Sequence, residues 1–246
     1  MDVIGVIPAR YSSSRFRGKV LVDIMGKPML QHVWERAKAS RILDELVIAC
    51  DDEMVQKVAS GFGAKTVMTS REHACGTDRI SEVVNPLDVK VVVNIQGDEP
   101  LIDPMMIDSA ARALLGDSSL SMATIMRKID DPAEAADPNV VKVVVGKNDL
   151  ALYFSRAPIP YLAPNSDLKE ATYYKHIGLY AYTKDFLFTY KNLPVSYLER
   201  TEKLEQLRVL SEGFKIKMIE TKIDTISIDT PEDLERLKVL LQKGAS

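Results

Sequence analysis

The strongest constraint on the fold is the run at residues 90–95, Lys-Val-Val-Val-Asn-Ile, in which polar residues do not alternate with apolar ones. A strand with one face in water shows such alternation, so this run predicts a strand buried on both faces of a parallel sheet. Strands and helices alternate around it, with predicted strands at 3–7, 46–50 and 65–68 and predicted helices at 28–40, 51–61 and 78–84. This order predicts an α/β fold with a doubly wound, mostly parallel sheet.

The middle of the chain has a different pattern, in which strands follow one another with little helix between them. These predicted strands are at 122–129, 140–145, 152–155 and 177–182. We therefore expect a small strand-rich subdomain at about 140–190, either an antiparallel extension of the sheet or a dimerising arm, within a single domain that spans residues 1–246. The remaining predicted elements are a leucine-rich helix at 198–212, a strand at 215–220 and a helix after Pro231.

The composition excludes several classes of protein. The 246 residues carry a formal net charge of −3, so no global positive field recruits nucleic acid. Apolar runs stay shorter than the roughly 18 residues of a membrane helix, so we expect no membrane insertion. Cys50 and Cys75 stand in unrelated contexts, which indicates a reducing cytoplasm rather than a disulfide framework. Neither has a zinc-like spacing to a histidine, so we expect no zinc.

A basic loop follows the first predicted strand and is the main candidate for a ligand site. Residues 10–19 contain the serines Ser12, Ser13 and Ser14 and the cations Arg10, Arg15, Arg17 and Lys19. In open α/β sheets ligands bind at the carboxyl ends of strands, and small residues let backbone amides face phosphate oxygens. Neighbouring cations also repel one another unless an anion lies between them. The loop therefore predicts a phosphate site, although it lacks the Walker A spacing and a solvated basic loop is the alternative.

Two acidic turns are candidates for a metal site. Asp98 lies just after the most hydrophobic predicted strand, and Asp229 directly ends another predicted strand. Mg²⁺ prefers one or two carboxylates together with substrate phosphates, so either aspartate suits it. The alternative for Asp98 is an ordinary strand-to-turn junction. A helix N-cap explains Thr230, which precedes Pro231, but it does not explain Asp229.

Further polar residues are weaker candidates for ligand contacts. In the predicted helix at 198–212, Glu205 and Gln206 lie opposite a stripe of leucines. That polar face either meets water or hydrogen-bonds a hydroxylated ligand. Arg156 ends a predicted strand and could hold an anionic substrate, and a surface arginine is the alternative. Taken by itself, His176 is better explained as a structural histidine.

Several short motifs, in their order along the chain, resemble those of the sugar-acid cytidylyltransferases, and most closely those that act on 3-deoxy-manno-octulosonate (KDO). The motifs are Ile7-Pro8-Ala9-Arg10, Gly26-Lys27-Pro28-Met29, Gly76-Thr77-Asp78-Arg79, Asn94-Ile95-Gln96-Gly97-Asp98-Glu99-Pro100, Ala151-Leu152-Tyr153-Phe154-Ser155-Arg156, Lys175-His176-Ile177-Gly178, Leu204-Glu205-Gln206-Leu207-Arg208 and Asp229-Thr230-Pro231-Glu232-Asp233-Leu234. Each motif is weak alone, whereas their common order is specific. The resemblance extends from about Val3 to about Leu237.

The resemblance implies a nucleotide-diphospho-sugar transferase-like fold and a Mg²⁺-dependent reaction of CTP with KDO. The anomeric hydroxyl of KDO would attack the α-phosphate, giving CMP-KDO and pyrophosphate for lipopolysaccharide biosynthesis in a cytoplasmic homodimer. The implied catalytic residues are Lys19, Asp98 and Asp229, with the two aspartates as metal ligands. The implied CTP-binding residues are Arg10, Ser13, Ser14, Arg15, Lys19, Asp78 and Arg79. The implied sugar-binding residues are Gln96, Arg156, His176, Tyr180, Glu205 and Gln206.

Three positions depart from the family pattern. Arg17 and Val20 flank Gly18-Lys19, where the family loop commonly has Pro-Gly-Lys-Pro, and Ser227 stands where a glycine is frequent. The departure at Ser227, together with Tyr174-Lys175-His176 and Ala181-Tyr182-Thr183, resembles relatives that activate the 8-amino analogue of KDO, so the same reaction on that analogue is an alternative. Another sugar-acid nucleotidyltransferase is a further alternative. A nucleotide-sensing binding module is the alternative from a different class of protein.

Overall fold

The computed structural model describes residues 1–12, 16, 18–73 and 75–244. Its strands are β1 (Val3–Ala9), β2 (Asp23–Ile24), β3 (Lys27–Pro28), β4 (Glu45–Cys50), β5 (Lys65–Met68), β6 (Val91–Asn94), β7 (Met122–Lys128), β8 (Lys142–Val145), β9 (Ala151–Ser155), β10 (Tyr174–Thr183) and β11 (Lys217–Thr221). Its α-helices are α1 (Met29–Lys38), α2 (Glu53–Gly61), α3 (Gly76–Val84), α4 (Pro104–Gly116), α5 (Pro132–Ala136), α6 (Lys184–Lys191), α7 (Tyr197–Glu202), α8 (Gln206–Ser211) and α9 (Pro231–Gly244). Short 3-10 helices occupy Lys19–Leu21 and Lys147–Asp149.

The central sheet has the strand order β11-β7-β10-β6-β1-β4-β5. β1 pairs in parallel with β4 and β6, β4 pairs in parallel with β5, and β7 pairs in parallel with β11. β10 is the exception, because it runs antiparallel to both of its neighbours, β6 and β7. The antiparallel hairpin of β8 and β9 is attached to the amino-terminal end of β10 through β8. The prediction of a doubly wound, mostly parallel α/β fold is confirmed.

Helices cover both faces of the sheet and bury two apolar cores. Leu30 of α1 and Ile107 of α4 belong to the core on one face, and Ile80 of α3 and Leu187 of α6 belong to the core on the other. The valines of β6 divide between the two cores, with Val92 on one face and its two neighbours on the opposite face. This arrangement explains the absence of alternating polar residues in that strand, since neither of its faces meets water.

The pairing of β10 with β7 contains a shift in register. Ile177 pairs with Ile125, and the next paired position joins Tyr180 to Thr124. Three steps along β10 therefore correspond to one step along β7, so β10 carries two additional residues here. The hydroxyl of Thr124 donates a hydrogen bond to the carbonyl oxygen of Leu179 at 2.7 Å and so fills the gap in the ladder. The two additional residues are Gly178 and Leu179, and Tyr180 follows them.

Some predicted elements differ from the structure. The helix expected at 198–212 is divided into α7 and α8, because Lys203 adopts the left-handed conformation with φ 56°. Asp229 does not end a strand, since residues 222–229 after β11 form no regular element. Helix α4 was not predicted, although Asp103 caps its first turn by accepting from the amide of Met105. Within the described residues no helix has both the length and the apolar character needed to cross a membrane.

Candidate active site

Two adjoining cavities open at the carboxyl ends of the neighbouring parallel strands β1 and β6, where ligands bind in folds of this kind. The first, which we call the loop cavity, has a volume of about 400 Å³. It is lined by Pro8, Arg10, Ser12, Lys19, Val20, Gly76, Gln96, Gly97, Asp98 and Asp229. Gly97 allows the two strand ends to approach closely, because a Cβ atom there would lie 3.1 Å from the carbonyl oxygen of Pro8.

The second cavity, which we call the β10 cavity, has a volume of about 450 Å³. Its lining combines residues from the start of α3, from β6 and the turn after it, from β10 and α6, from the region of α7 and α8, and from the segments after β9 and β11. They are Cys75, Thr77, Asn94, Glu99, Arg156, Gly178, Tyr180, Tyr182, Tyr190, Lys203, Leu204, Glu205, Gln206 and Ser227. The residues that line both cavities are Arg10, Gly76, Gln96, Asp98 and Asp229. The two aspartates and Arg10 therefore lie where a ligand in one cavity would meet a ligand in the other.

A charge cluster lies at this junction. The Lys19 ammonium is 2.6 Å from Asp98 Oδ2 and 3.0 Å from Asp229 Oδ1. The backbone fixes the same arrangement, because the amide of Ile228 donates to the carbonyl oxygen of Asp98 at 2.9 Å. Burial by itself lowers the pKa of Lys19, but the two carboxylates outweigh it and raise the pKa above its usual value. Lys19 therefore remains positively charged at neutral pH.

The two carboxylates fit a divalent cation that completes its coordination with substrate oxygens. The Lys19 ammonium is a cation held by both Asp98 and Asp229, so the position between them already accommodates positive charge. The described ranges contain no group of three or more His, Cys, Asp or Glu side chains arranged around a common metal position. Two carboxylates are too few protein ligands for zinc or calcium, but they match Mg²⁺, which uses one or two carboxylates plus phosphates.

Arg156 enters the β10 cavity with its guanidinium held in a fixed orientation. Its Nε donates to the carbonyl oxygen of Glu202 and its Nη1 to the carbonyl oxygen of Pro138, each at 2.9 Å. Both acceptors are neutral, so these hydrogen bonds orient the side chain without cancelling its charge. The Glu202 carboxylate accepts instead from the Ser155 hydroxyl and the Arg156 amide, at 2.7 and 3.0 Å. The guanidinium is thus suited to a carboxylate ligand.

The remaining polar lining of the β10 cavity suits a hydroxylated ligand. The break at Lys203 buries Leu204 in the core and places Glu205 and Gln206 along the cavity. The hydroxyl of Tyr180 donates to Gln206 Oε1 at 3.4 Å. Burial raises the pKa of the Tyr180 phenol and of the Glu205 carboxyl. Tyr180 therefore keeps its proton and remains a hydrogen-bond donor at neutral pH.

Arg79 and His176 both have partners within the protein, and the ligand contacts expected for them stay predictions. Arg79 is fully buried and lines neither cavity, because its Nη2 donates to Asp51 Oδ2 at 2.8 Å and its Nη1 to the hydroxyl of Thr69. Its guanidinium therefore contacts protein groups rather than either cavity. The Nε2 atom of His176 lies 2.9 Å from the hydroxyl of Thr124, and burial lowers the histidine pKa to about 3. His176 is therefore neutral at pH 7 and lines neither cavity.

The other expected site residues fall into three groups. Arg10, Lys19, Gln96, Asp98, Arg156, Tyr180, Glu205, Gln206 and Asp229 line the cavities. Asp78 lies beside them in the first turn of α3, where its Oδ2 accepts from the Cys75 thiol at 3.4 Å. Ser13, Ser14, Arg15 and Arg17 lie outside the described residues.

Several lining residues were not singled out from the sequence. Asn94 and Glu99 stand within a motif that was quoted, yet only Gln96 and Asp98 were assigned roles. Burial, with the Asp98 charge beside it, raises the pKa of Glu99 to about 7. The position of Asn94 at the end of β6 was the signal that could have identified it, because strand ends form the site in this fold. Tyr182 and Tyr190 carry no such signal, since aromatic residues are ordinary in strands and helices.

A model of the family described as cytidylyltransferase matches residues 4–223. The chain belongs to this family. As a cytidylyltransferase it is an enzyme that uses CTP. One relative, the 3-deoxy-manno-octulosonate cytidylyltransferase of Solibacter usitatus (strain Ellin6076), is 50% identical over 240 residues, which cover 98% of this chain and 94% of the relative. Another of the same name, from Geotalea uraniireducens (strain Rf4), is 47% identical over 251 residues, which cover 99% and 100%.

The fold of this cytidylyltransferase is similar to that of solved nucleotidyltransferase structures. A CMP:2-keto-3-deoxy-manno-octonic acid synthetase complexed with CTP is 43% identical and superimposes with a TM-score of 0.92, covering 99% of this chain and 100% of that one. A putative glucose-1-phosphate thymidylyltransferase from Bacillus anthracis is 19% identical with a TM-score of 0.67, covering 97% and 94%. The second likeness concerns the fold alone. The expected nucleotide-diphospho-sugar transferase-like fold is confirmed.

Proposed function

We propose that the protein transfers CMP from CTP to the anomeric hydroxyl of KDO, giving CMP-KDO and pyrophosphate. The observation that carries this proposal is the position of Asp98 and Asp229, which line both the loop cavity and the β10 cavity. A nucleotide in the first and a sugar acid in the second would meet beside these carboxylates. The names of the relatives from Solibacter usitatus and Geotalea uraniireducens support the same reaction.

The loop cavity would hold the triphosphate. Arg10 and Lys19 supply positive charge on its wall, and the close approach at Gly97 leaves backbone rather than side chain facing the ligand. Charged donors bind phosphate oxygens through short, strong hydrogen bonds. From the sequence we also assign Ser13, Ser14 and Arg15 to this loop, and we expect them to act with Arg10.

We infer that Asp98 and Asp229 would hold Mg²⁺ together with oxygens of the substrates. When bound, the ion would neutralise charge on the α-phosphate and make its phosphorus a better electrophile. The chain provides a second cation at the same place in Lys19, and its raised pKa keeps it charged while negative charge develops on the phosphates.

The β10 cavity would orient the acceptor. Arg156 would pair with the carboxylate of the sugar acid, and Gln96, Tyr180, Glu205 and Gln206 would hydrogen-bond its hydroxyls. The anomeric oxygen then forms a bond to the α-phosphorus, the bond from that phosphorus to the bridging oxygen breaks, and pyrophosphate leaves as the hydroxyl proton is released. Such a transfer needs positioning and charge neutralisation rather than a covalent nucleophile. Cys75 fits this view, because burial raises its thiol pKa and disfavours the nucleophilic thiolate.

We further propose that the protein is a cytoplasmic homodimer that serves lipopolysaccharide biosynthesis. The dimer contact is assigned to the segment at about 140–190, which carries β8, β9 and β10. Leu152, Tyr161 and Leu168 support this assignment, because they are 64%, 80% and 64% exposed. Apolar side chains that form one exposed patch mark an interaction surface, and the proposal assigns these three to such a patch. Light scattering of the protein and of Leu152→Glu tests the contact, with a monomeric variant as the expected result.

The reaction is tested by pyrophosphate release from CTP and Mg²⁺ with a panel of acceptors. The expected result is turnover with KDO, loss of turnover after chelation of Mg²⁺, and its return when Mg²⁺ is added back. Turnover with neuraminic acid but not KDO would overturn the assignment of the sugar, and preference for 8-amino-KDO would favour the alternative raised by Ser227. Binding of CTP without turnover would indicate a nucleotide-sensing module instead.

A further inference from the structure

Arg79 forms a buried ion pair with Asp51 that connects two elements of the nucleotide side of the molecule. Arg79 lies in the first turns of α3, and Asp51 follows β4 directly. The Arg79 side chain is fully buried and the Asp51 side chain is 10% exposed, with Nη2 and Oδ2 at 2.8 Å. A buried arginine needs a carboxylate or several acceptors to offset its desolvation. Asp51 supplies this counter-charge to Arg79.

The second oxygen of the Asp51 carboxylate is used by the ligand loop. Asp51 Oδ1 accepts the backbone amide of Tyr11 at 3.2 Å, across 40 positions of sequence. Tyr11 directly follows Arg10, which lines both cavities. The ion pair thus holds a backbone group at the start of the loop, and Arg79 fixes the orientation in which the carboxylate presents its second oxygen.

The backbone of Tyr11 also contacts the other end of the loop. The carbonyl oxygen of Tyr11 accepts the amide of Gly18 at 2.9 Å, so Tyr11 is bound on one side to Asp51 and on the other to the end of the loop. Gly18 has φ 70°, and a Cβ atom there would lie 3.3 Å from the Tyr11 ring. This position therefore suits glycine. Lys19, the cation of the charge cluster, is the next residue.

We propose that Asp51 and Arg79 are positioning residues that set the affinity for CTP by holding the base of the loop at residues 11–18. This inference rests on the proposed function, since it assigns CTP to the loop cavity. The pair touches neither cavity, so it acts through Tyr11 and Gly18 on Arg10 and Lys19. When the ion pair is lost, Arg10 and Lys19 can move out of the positions in which they bind the triphosphate. The residues of the β10 cavity that are proposed to bind the sugar acid keep their positions.

The test compares Asp51→Ala and Asp51→Asn with matched variants at Asp108. Asp108 offers a comparable contact away from both cavities: its side chain is 15% exposed, and its Oδ1 accepts the amide of Arg41 at 3.1 Å and the hydroxyl of Ser40 at 2.6 Å. Each protein is studied for CTP binding by calorimetry without sugar, for the KM of each substrate, and for thermal unfolding.

Asp51→Ala is expected to weaken CTP binding and raise the KM for CTP about tenfold, with the KM for KDO changed less than about twofold. Asp51→Asn keeps an acceptor for the Tyr11 amide, so a smaller loss of CTP affinity is expected. Asp108→Ala and Asp108→Asn are expected to lower the unfolding temperature without changing the KM for CTP. If Asp51→Ala does not fold, the comparison rests on Asp51→Asn, for which a dissociation constant for CTP at least twice that of the unaltered protein is expected.

Unchanged CTP binding in a folded Asp51 variant would overturn the proposal, as would an equal rise in both KM values or an equal effect of the Asp108 variants. Failure of the proposed function has a different signature, because the unaltered protein would then bind CTP without turning over KDO. In that case the calorimetric comparison of Asp51 and Asp108 variants still decides whether the pair positions the loop.

Discussion

Lys19 Nζ lies 2.6 Å from Asp98 Oδ2, and the same ammonium reaches Asp229 Oδ1 at 3.0 Å. One positive charge thus faces two carboxylates, so the cluster has a net negative charge that attracts a further cation. The Lys19 and Asp98 side chains are 14% and 22% exposed, which leaves them accessible to a ligand while limiting the screening by water. The affinity of such a site for a divalent cation is expected to fall when a carboxylate is lost and to rise when the lysine is lost.

Asp98→Ala and Asp229→Ala are each expected to reduce pyrophosphate release on the order of a hundredfold or more, because each removes an oxygen donor proposed for the metal. The free energy of unfolding is expected to change by only about 1 kcal/mol, since these side chains are partly exposed and Lys19 keeps one partner. Activity assays and thermal unfolding of both variants measure the two effects. Full turnover by either variant would place the metal elsewhere.

Lys19→Met is expected to lower kcat/KM and to tighten the binding of Mn²⁺ in the absence of nucleotide. The variant lacks the ammonium that competes for the space between Asp98 and Asp229, and the remaining carboxylates repel each other until a cation binds. Electron paramagnetic resonance of Mn²⁺ measures this affinity without turnover, and about a tenfold gain is expected. Asp98→Ala combined with Lys19→Met is the control, in which the gain should disappear. Equal Mn²⁺ affinity in Lys19→Met and the unaltered protein would contradict the arrangement.

Arg156→Lys is expected to raise the KM for KDO about tenfold or more with little change in the KM for CTP. Lysine keeps the charge but cannot reproduce the two hydrogen bonds to the carbonyl oxygens of Glu202 and Pro138 that orient the arginine. Steady-state kinetics with each substrate varied separately make the comparison. A rise in the KM for CTP alone would assign Arg156 to the nucleotide instead.

His176 is expected to make the fold less stable as the pH falls below about 6.5. Burial lowers its pKa from 6.5 to about 3, so between these values the unfolded chain binds a proton that the folded chain does not. The free energy of unfolding then decreases with falling pH by about 1 kcal/mol per unit. His176→Gln lacks this group, so its stability should depend less on pH over the same window. Denaturant unfolding from pH 7 to 4.5 compares them, and parallel profiles would show that His176 titrates normally.

The strand pattern predicted most of the fold, because a strand that is buried on both faces has consecutive apolar residues, as in the valines of β6. The division of the helix at 198–212 could not be predicted in this way, since Lys203, which adopts the left-handed conformation, is neither glycine nor proline. Asp229 was placed in a strand that does not exist. It nevertheless lies at the site, because the Ile228 amide binds the Asp98 carbonyl and brings the two segments together.

The cavity residues were predicted better than the buried ones. Arg156 and Glu205 line the β10 cavity as expected, because charged residues after a strand or opposite an apolar stripe tend to face a ligand or water. Arg79 and His176 were assigned to ligands through the motifs that contain them. Their actual partners are Asp51, which follows β4, for Arg79 and the Thr124 hydroxyl of β7 for His176, and no spacing in the sequence reveals such contacts.

The two additional residues of β10 limit how the length of this strand can vary among related sequences. Ile177 and Tyr180 lie in different cores, and side chains alternate between the faces of a strand. Gain or loss of one residue between them would turn Tyr180 away from the β10 cavity and bring an apolar residue to it. A change of two residues would leave every side chain on its present face. Insertions and deletions at Gly178 and Leu179 are therefore expected to survive selection only in even numbers.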